Sequence, residues 1–224
     1  MFLRPNPSGY SDLNNAAGTF IRLGVMASHG GTNLQAILDA CSSGIIYGEV
    51  AVVISNNSNS YALERARKVG IEAIHLSSHT HSNPEQLDMA IRDVMIKHKV
   101  DLVILAGYMK RLGKWILESF PNKVINSHPS LLPLHGGRGM YGDRVHDSVL
   151  KSGDKETGIT IHLVDLEYDH GSIVSQTKVC VSPSDSVSSL RNRIQKEEHS
   201  FWIQTIERIR KREIDLSEIS LKTL

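Results

Sequence analysis

From residue 21 onward the chain alternates short β-branched apolar runs with segments of helical apolar spacing, which constrains its fold more than any other feature. Ile21–Ala27 reads as a buried strand, followed by a Gly loop and an amphipathic helix from Leu34 to Cys41 that Gly44 stops. Val50–Ile54 is a second strand. After the turn Ser55–Ser60, a helix carrying Ala62, Leu63, Ala66 and Val69 ends at Gly70, before a strand over Ile71–Leu76. Pro84 opens a helix with Leu87, Ile91, Val94 and Met95 in register. Val100–Ala106 is the most apolar run, as expected at the centre of a parallel sheet, and Lys123–Asn126 is a further short strand. After about residue 155, Thr157–Val164 and Val174–Val181 follow one another with no helix between, so the sheet gains antiparallel partners there. A terminal helix runs from about Asp185 to Arg212. The predicted architecture is α/β: a single-domain, doubly wound, mostly parallel sheet with antiparallel C-terminal strands and a long terminal helix. The domain spans 20–215, between a flexible tail at 1–19 and a C-terminal tail at 216–224.

The chain has 224 residues, 25 Lys and Arg against 24 Asp and Glu, and a net charge of +1, so charge does not favour nucleic acid or an anionic membrane. Arg208–Arg212, the only dense basic run, is expected to be a solvated helix end. Cys41 and Cys180 form neither a disulfide framework nor a metal-ligand pair, which fits a cytoplasmic protein with reduced thiols. No apolar run is long enough to span a bilayer. Residues 1–19 lack the apolar stretch of a signal peptide, and a transit peptide would be richer in Arg and Ser.

Four groups of residues could carry chemistry. In Ala27–Gln35, Gly30 and Gly31 let the backbone approach a ligand closely, while Thr32 and Asn33 stand where free helix N-terminal amides suit a single phosphate. The loop has no Walker lysine and does not match G-x-G-x-x-G; a plain turn capped by Thr or Asn is the alternative. In Val124–Pro133, Asn126 and His128 are two apart on a strand, so they share a face at its carboxyl end, where open α/β sheets bind ligands. An amide donor and an imidazole there could stabilise an oxyanion and move a proton; a strand-end cap with a satisfied histidine is the competing reading. Asp169, in the turn Leu166–Gly171, could favour the charged form of His128 or serve only the turn, and His162 is equally ambiguous. Glu198 lies on the apolar stripe Val187, Leu190, Ile194, Phe201, Trp202, Ile206 and Ile209, where an unpaired carboxylate is costly. Either a salt bridge or a ligand contact answers that cost.

Taken together, Ser28-His-Gly-Gly-Thr-Asn-Leu-Gln-Ala-Ile37, Leu63-Glu-Arg-Ala66, Val103-Ile-Leu-Ala-Gly-Tyr-Met109, Asn126-Ser-His-Pro-Ser-Leu-Leu-Pro133 and the Asp169 turn resemble the glycinamide ribonucleotide formyltransferase family. The likeness runs from about Ile21 to Ile214. It implies a Rossmann-like formyltransferase fold and transfer of formyl from 10-formyltetrahydrofolate, as cosubstrate, to glycinamide ribonucleotide, in purine synthesis. It implies a catalytic set of Asn126, His128 and Asp169, assisted by His162. Gly31, Thr32 and Asn33 would hold the substrate phosphate and Glu198 its ribose. Met109, Lys110, Arg111 and Leu112, with Leu166, Glu167 and Tyr168 beside Asp169, would surround the folate pterin, partly through backbone atoms. No metal is implied. The implied partners are small molecules, with no nucleic acid and no membrane, and a homodimer is left open. Lys110 stands where the family often has Arg, Pro84 falls where bacterial members can carry a folate-contacting Arg, and the Gly-rich stretch Leu134–Arg144 is longer than in short members. That stretch is either a mobile flap or a rigid Ω-loop.

The chemistry expected is direct acyl transfer, since neither Ser127 nor Ser130 has an evident base beside it. A 10-formyltetrahydrofolate hydrolase would be expected to carry an N-terminal regulatory domain, and a methionyl-tRNA formyltransferase a C-terminal domain and basic surface. A silent phosphoribosyl-binding protein would not need the catalytic set.

Overall fold

The computed structural model describes residues 19–219. The tails expected at 1–19 and 216–224 therefore lie largely outside the described residues. Packing continues past residue 215, however: Leu216 is buried against the main core.

Among the described residues seven strands form one sheet, in the order β3-β2-β1-β4-β5-β6-β7. β1 (Ile21–Met26), β2 (Gly48–Ser55), β3 (Glu72–His75), β4 (Leu102–Leu105) and β5 (Val124–His128) are mutually parallel. β6 (Glu156–Leu163) and β7 (Ile173–Cys180) run antiparallel to their neighbours, as the missing crossover helix predicted. β1 has β2 on one side and β4 on the other, so the sheet's topological switch point lies beside β1.

Strand alternation sends Leu23, Val25, Leu102 and Ile104 to one face, against α1 (Thr32–Ser42), α2 (Tyr61–Lys68), α5 (Asp143–Ser152) and α6 (Val187–Arg210). Met26, Val103 and Leu105 pack on the other face against α3 (Pro84–Lys97) and α4 (Lys114–Ser119). Leu23, Ile104 and Trp202 are fully buried, each worth roughly 1.5–3 kcal/mol of apolar transfer. Local signals set the helix starts. Asn83 caps α3 by accepting from the amides of Glu85 and Gln86, with Pro84 at the first position, and Ser60 caps α2.

Three expectations are corrected. α4 and α5 were not foreseen, and α5 begins at Asp143, inside the stretch read as a loop. The basic run at the end of α6 is not wholly solvated. Arg210 is buried, donating from Nε and Nη2 to Glu207 (2.7 and 2.9 Å), with its guanidinium 5.7 Å from the Tyr47 ring centroid.

Candidate active site

The carboxyl ends of β1, β4 and β5 open into one cavity of about 610 Å³, within the range of small-molecule sites. One end is the β1–α1 loop. Gly31 caps α1 with φ +65°, and no side chain satisfies the helix terminus, which sets aside the turn capped by Thr32 or Asn33. A Cβ at Gly31 would lie 2.8 Å from that of Ala62, so close packing as well as backbone conformation demands glycine. The loop is braced from behind. Ser60 Oγ donates to the His29 carbonyl (2.8 Å), and Arg65 Nε to the Gly30 carbonyl (2.8 Å). Asn33 is 8 % exposed and its Oδ1 has no partner among the described residues, while Thr32 Oγ1 accepts from Gln195 Nε2 of α6 (2.9 Å).

The middle of the cavity is the end of β5. Pairing with β6 sets Asn126 opposite His162 and His128 opposite Thr160. His162 Nδ1 lies 2.7 Å from the Leu163 carbonyl, which can only accept, so the proton is on Nδ1. Nε2 then accepts from Asn126 Nδ2 (3.1 Å) and orients that amide. Burial lowers the His162 pKa and keeps the ring in this neutral form, outweighing the Leu163 hydrogen bond and the Asp169 charge.

His128 is 3 % exposed. Its Nε2 donates to the His135 carbonyl (2.8 Å), and its Nδ1 lies 3.3 Å from Asp169 Oδ2. Two acceptors on two ring nitrogens select the imidazolium. Asp169 also accepts from the Gly137 amide (3.0 Å) and lies 3.7 Å from His162 Nε2. Burial alone would raise the Asp169 pKa, but the hydrogen bond and charge of His128 prevail, helped by Gly137, and hold it below the usual carboxylate range. Asp169 adopts φ +55°, a left-handed conformation that Asp tolerates better than most residues.

Asn126, His128, His162 and Asp169 thus meet, and Gly31, Thr32 and Asn33 lie in the same cavity. Glu198 lines it too. Its carboxylate accepts from Ser127 Oγ, and no ion pair to it exists among the described residues, so the salt-bridge reading fails.

Of the residues assigned to folate, Met109 and Tyr168 line the cavity. Lys110, Arg111, Leu166 and Glu167 are exposed around it, while the Leu112 side chain is 4 % exposed and belongs to the core, leaving only its backbone for a ligand. Two contacts join these segments. Arg111 Nη2 donates to the Leu166 carbonyl, and its guanidinium stands 5.7 Å from the Tyr168 ring centroid. Asp88 of α3 fixes the far end of residues 109–112 by accepting from the amides of Gly113 and Trp115 (2.8 and 2.7 Å). Pro84 lies outside the cavity, at the start of α3.

Sequence reasoning missed Gln195 and His146, both cavity-lining. Gln195 stands three residues before Glu198, so helical spacing alone could have found it. His146 sits on α5, which was itself missed; its buried Nδ1 has no partner among the described residues.

A family profile described as Formyl transferase matches residues 21–206. The phosphoribosylglycinamide formyltransferase of Haemophilus influenzae is 39% identical over 181 residues, covering 81% of this chain and 83% of the relative. The chloroplastic phosphoribosylglycinamide formyltransferase of Arabidopsis thaliana is 37% identical over 198 residues, 86% of this chain and 68% of the relative. Among solved structures, glycinamide ribonucleotide transformylase 1 from Symbiobacterium toebii superposes with a TM-score of 0.83 at 39% identity, covering 92% of this chain and 94% of that one. Motifs, sheet order and relatives agree, and the chain belongs to the formyl transferase family, within its phosphoribosylglycinamide formyltransferase branch.

Proposed function

We propose that this protein transfers the formyl group of 10-formyltetrahydrofolate to the amine of glycinamide ribonucleotide, as the names of its relatives suggest. The observation that carries the reading is one cavity holding an uncapped helix N-terminus at one end and the Asn126–His128–Asp169 cluster beside it. The first suits a phosphate; the second suits an oxyanion.

The amides at Gly31, Thr32 and Asn33 bind the ribonucleotide phosphate, and Glu198 accepts from its ribose hydroxyls, oriented by Ser127. Backbone of residues 109–112 and of Leu166–Asp169 receives the pterin, a role supported by the Arg111 contacts that tie these segments together. As the amine attacks the formyl carbon, the second Asn126 N–H donates to the developing oxyanion, and the positive charge of His128, whose two N–H groups are engaged by His135 and Asp169, stabilises it from nearby. Asp169 holds His128 charged, and an ordered water beside it relays the amine proton to the leaving folate nitrogen. His162 holds Asn126 in place. Cytoplasmic residence belongs to the same reading and is supported by the unpaired Cys41 and Cys180; no helix among the described residues is long and apolar enough to cross a membrane. Steady-state loss of the formyl group from 10-formyltetrahydrofolate should require glycinamide ribonucleotide, and equal turnover with water alone would refute the transfer in favour of hydrolysis.

A further inference from the structure

His135 does not line the cavity, yet its carbonyl is bonded to His128, which does. The His135 ring is held at both nitrogens. Ser148 Oγ of α5 lies 2.8 Å from Nδ1, and Asp154 Oδ2, just beyond α5, lies 2.7 Å from Nε2. The His135 backbone is left-handed, with φ +54°, a conformation rarely adopted by a residue with a Cβ. Its carbonyl is the acceptor for His128 Nε2, and two residues later the Gly137 amide donates to Asp169 Oδ2. A single short bracket therefore supplies a partner to each member of the His128–Asp169 pair. None of Ser148, His135 and Asp154 lines the cavity, so the three do not form a second nucleophilic centre.

We infer that His135 is a positioning residue: the clamp by Ser148 and Asp154 holds its backbone in the left-handed turn, so that its carbonyl receives the Nε2–H of His128 and sets the orientation of that ring. The inference rests on the proposed role of His128. Its consequence is chemical. A neutral imidazole carries one proton, and with Nε2 free that proton would sit on Nδ1 and donate to Asp169. The His135 carbonyl and the Asp169 carboxylate together can accept both N–H groups of a charged ring, whereas a neutral ring can serve only one of them. The other ionisable groups facing His128 are His162 of β6 and His146 of α5, and neither is altered in the test.

The test uses the full chain with Ser148→Ala, which removes one arm without changing charge, and Asp154→Asn, which weakens the other. The readouts are the ¹⁵N shifts of the labelled His128 ring across pH and the pH profile of kcat with both substrates. In the wild type, Nε2 should read as a bonded N–H at the pH of maximal kcat. In the variants the Nε2 shift should move as its bond to the carbonyl loosens, and kcat should fall at least about threefold, while both KM values stay within about twofold. Unchanged His128 shifts and an unchanged kcat in the folded variants would overturn the inference, as would a wild-type Nε2 without a proton at the pH of maximal kcat. If neither variant folds, the wild-type spectrum decides alone. The ring-shift readout needs no turnover, so failure of the transferase reading would be seen separately.

Discussion

On the proposed mechanism, Asn126→Ala removes one oxyanion donor. The amide has two N–H groups, and among the described residues only one is engaged, on His162 Nε2 at 3.1 Å. The other is available to the cavity without breaking that bond. No reorganisation cost offsets its use, so the substitution should cost the full contribution of an oxyanion-hole donor, roughly 2.7–4 kcal/mol, or about 10²–10³ in kcat. The donor acts on charge that develops only in the transition state, so KM for both substrates should change little. The truncation also leaves the buried acceptor on His162 unsatisfied, costing about 1–3 kcal/mol of stability. Chemical denaturation measures that second loss, and steady-state kinetics of the folded protein measures the first. A kcat within about threefold of wild type would refute the placing of Asn126 on the oxyanion. A large rise in KM with kcat unchanged would make it a binding residue instead.

Acid should destabilise the fold from near pH 6.5 downward. The depressed pKa values of His162 and His146 mean that the unfolded chain binds more protons below their ordinary value, so stability rises with pH in that window and is lost as pH falls. Asp169, depressed for the opposite chemical reason, adds a further loss below its usual range near pH 3.8. Thermal unfolding from pH 7.5 to 4.5 should show the decline, and His162→Gln should flatten its upper part; a melting temperature independent of pH would contradict this. Gly31→Ala forces a Cβ into a left-handed cap and toward Ala62, so it should destabilise the protein by about 1–3 kcal/mol. It should also raise KM for the ribonucleotide at least about tenfold with the folate KM little changed, as initial rates with either substrate varied will show. Trp202→Ala empties a fully buried site under α6 and should cost about 3–5 kcal/mol in denaturant unfolding, with kinetics of the folded fraction unaffected.

The strands were legible because burial on both faces writes continuous β-branched runs, and the helix starts at Pro84 and Tyr61 because their caps, Asn83 and Ser60, are adjacent in sequence. α4 escaped because its N-terminus is satisfied from afar. Asp88, 25 residues earlier in the chain, accepts from the Gly113 amide, and no local signal records that. α5 was hidden by the glycines before it, although Val145, Val149 and the terminating Gly153 carry a helical pattern. At the site, the i, i+2 rule brought Asn126 and His128 to one strand end, but only the antiparallel return of β6 could reveal that His162 faces Asn126. The Gly-rich stretch was divided between flap and rigid loop, and its first residues are bonded to His128 and Asp169. Glu198 showed the limit of stripe reasoning: its partner is Ser127, a hydroxyl that no charge pattern would point to.

The central claim is that the formyl group passes to an amine held beside Asn126 and His128 rather than to water. Incubation of the protein with 10-formyltetrahydrofolate carrying ¹³C in the formyl carbon, together with glycinamide ribonucleotide, tests it in one spectrum. The account predicts that the label appears as a formamide on the ribonucleotide, at the rate at which tetrahydrofolate forms. Label recovered as free formate, at a rate indifferent to the ribonucleotide, would contradict it.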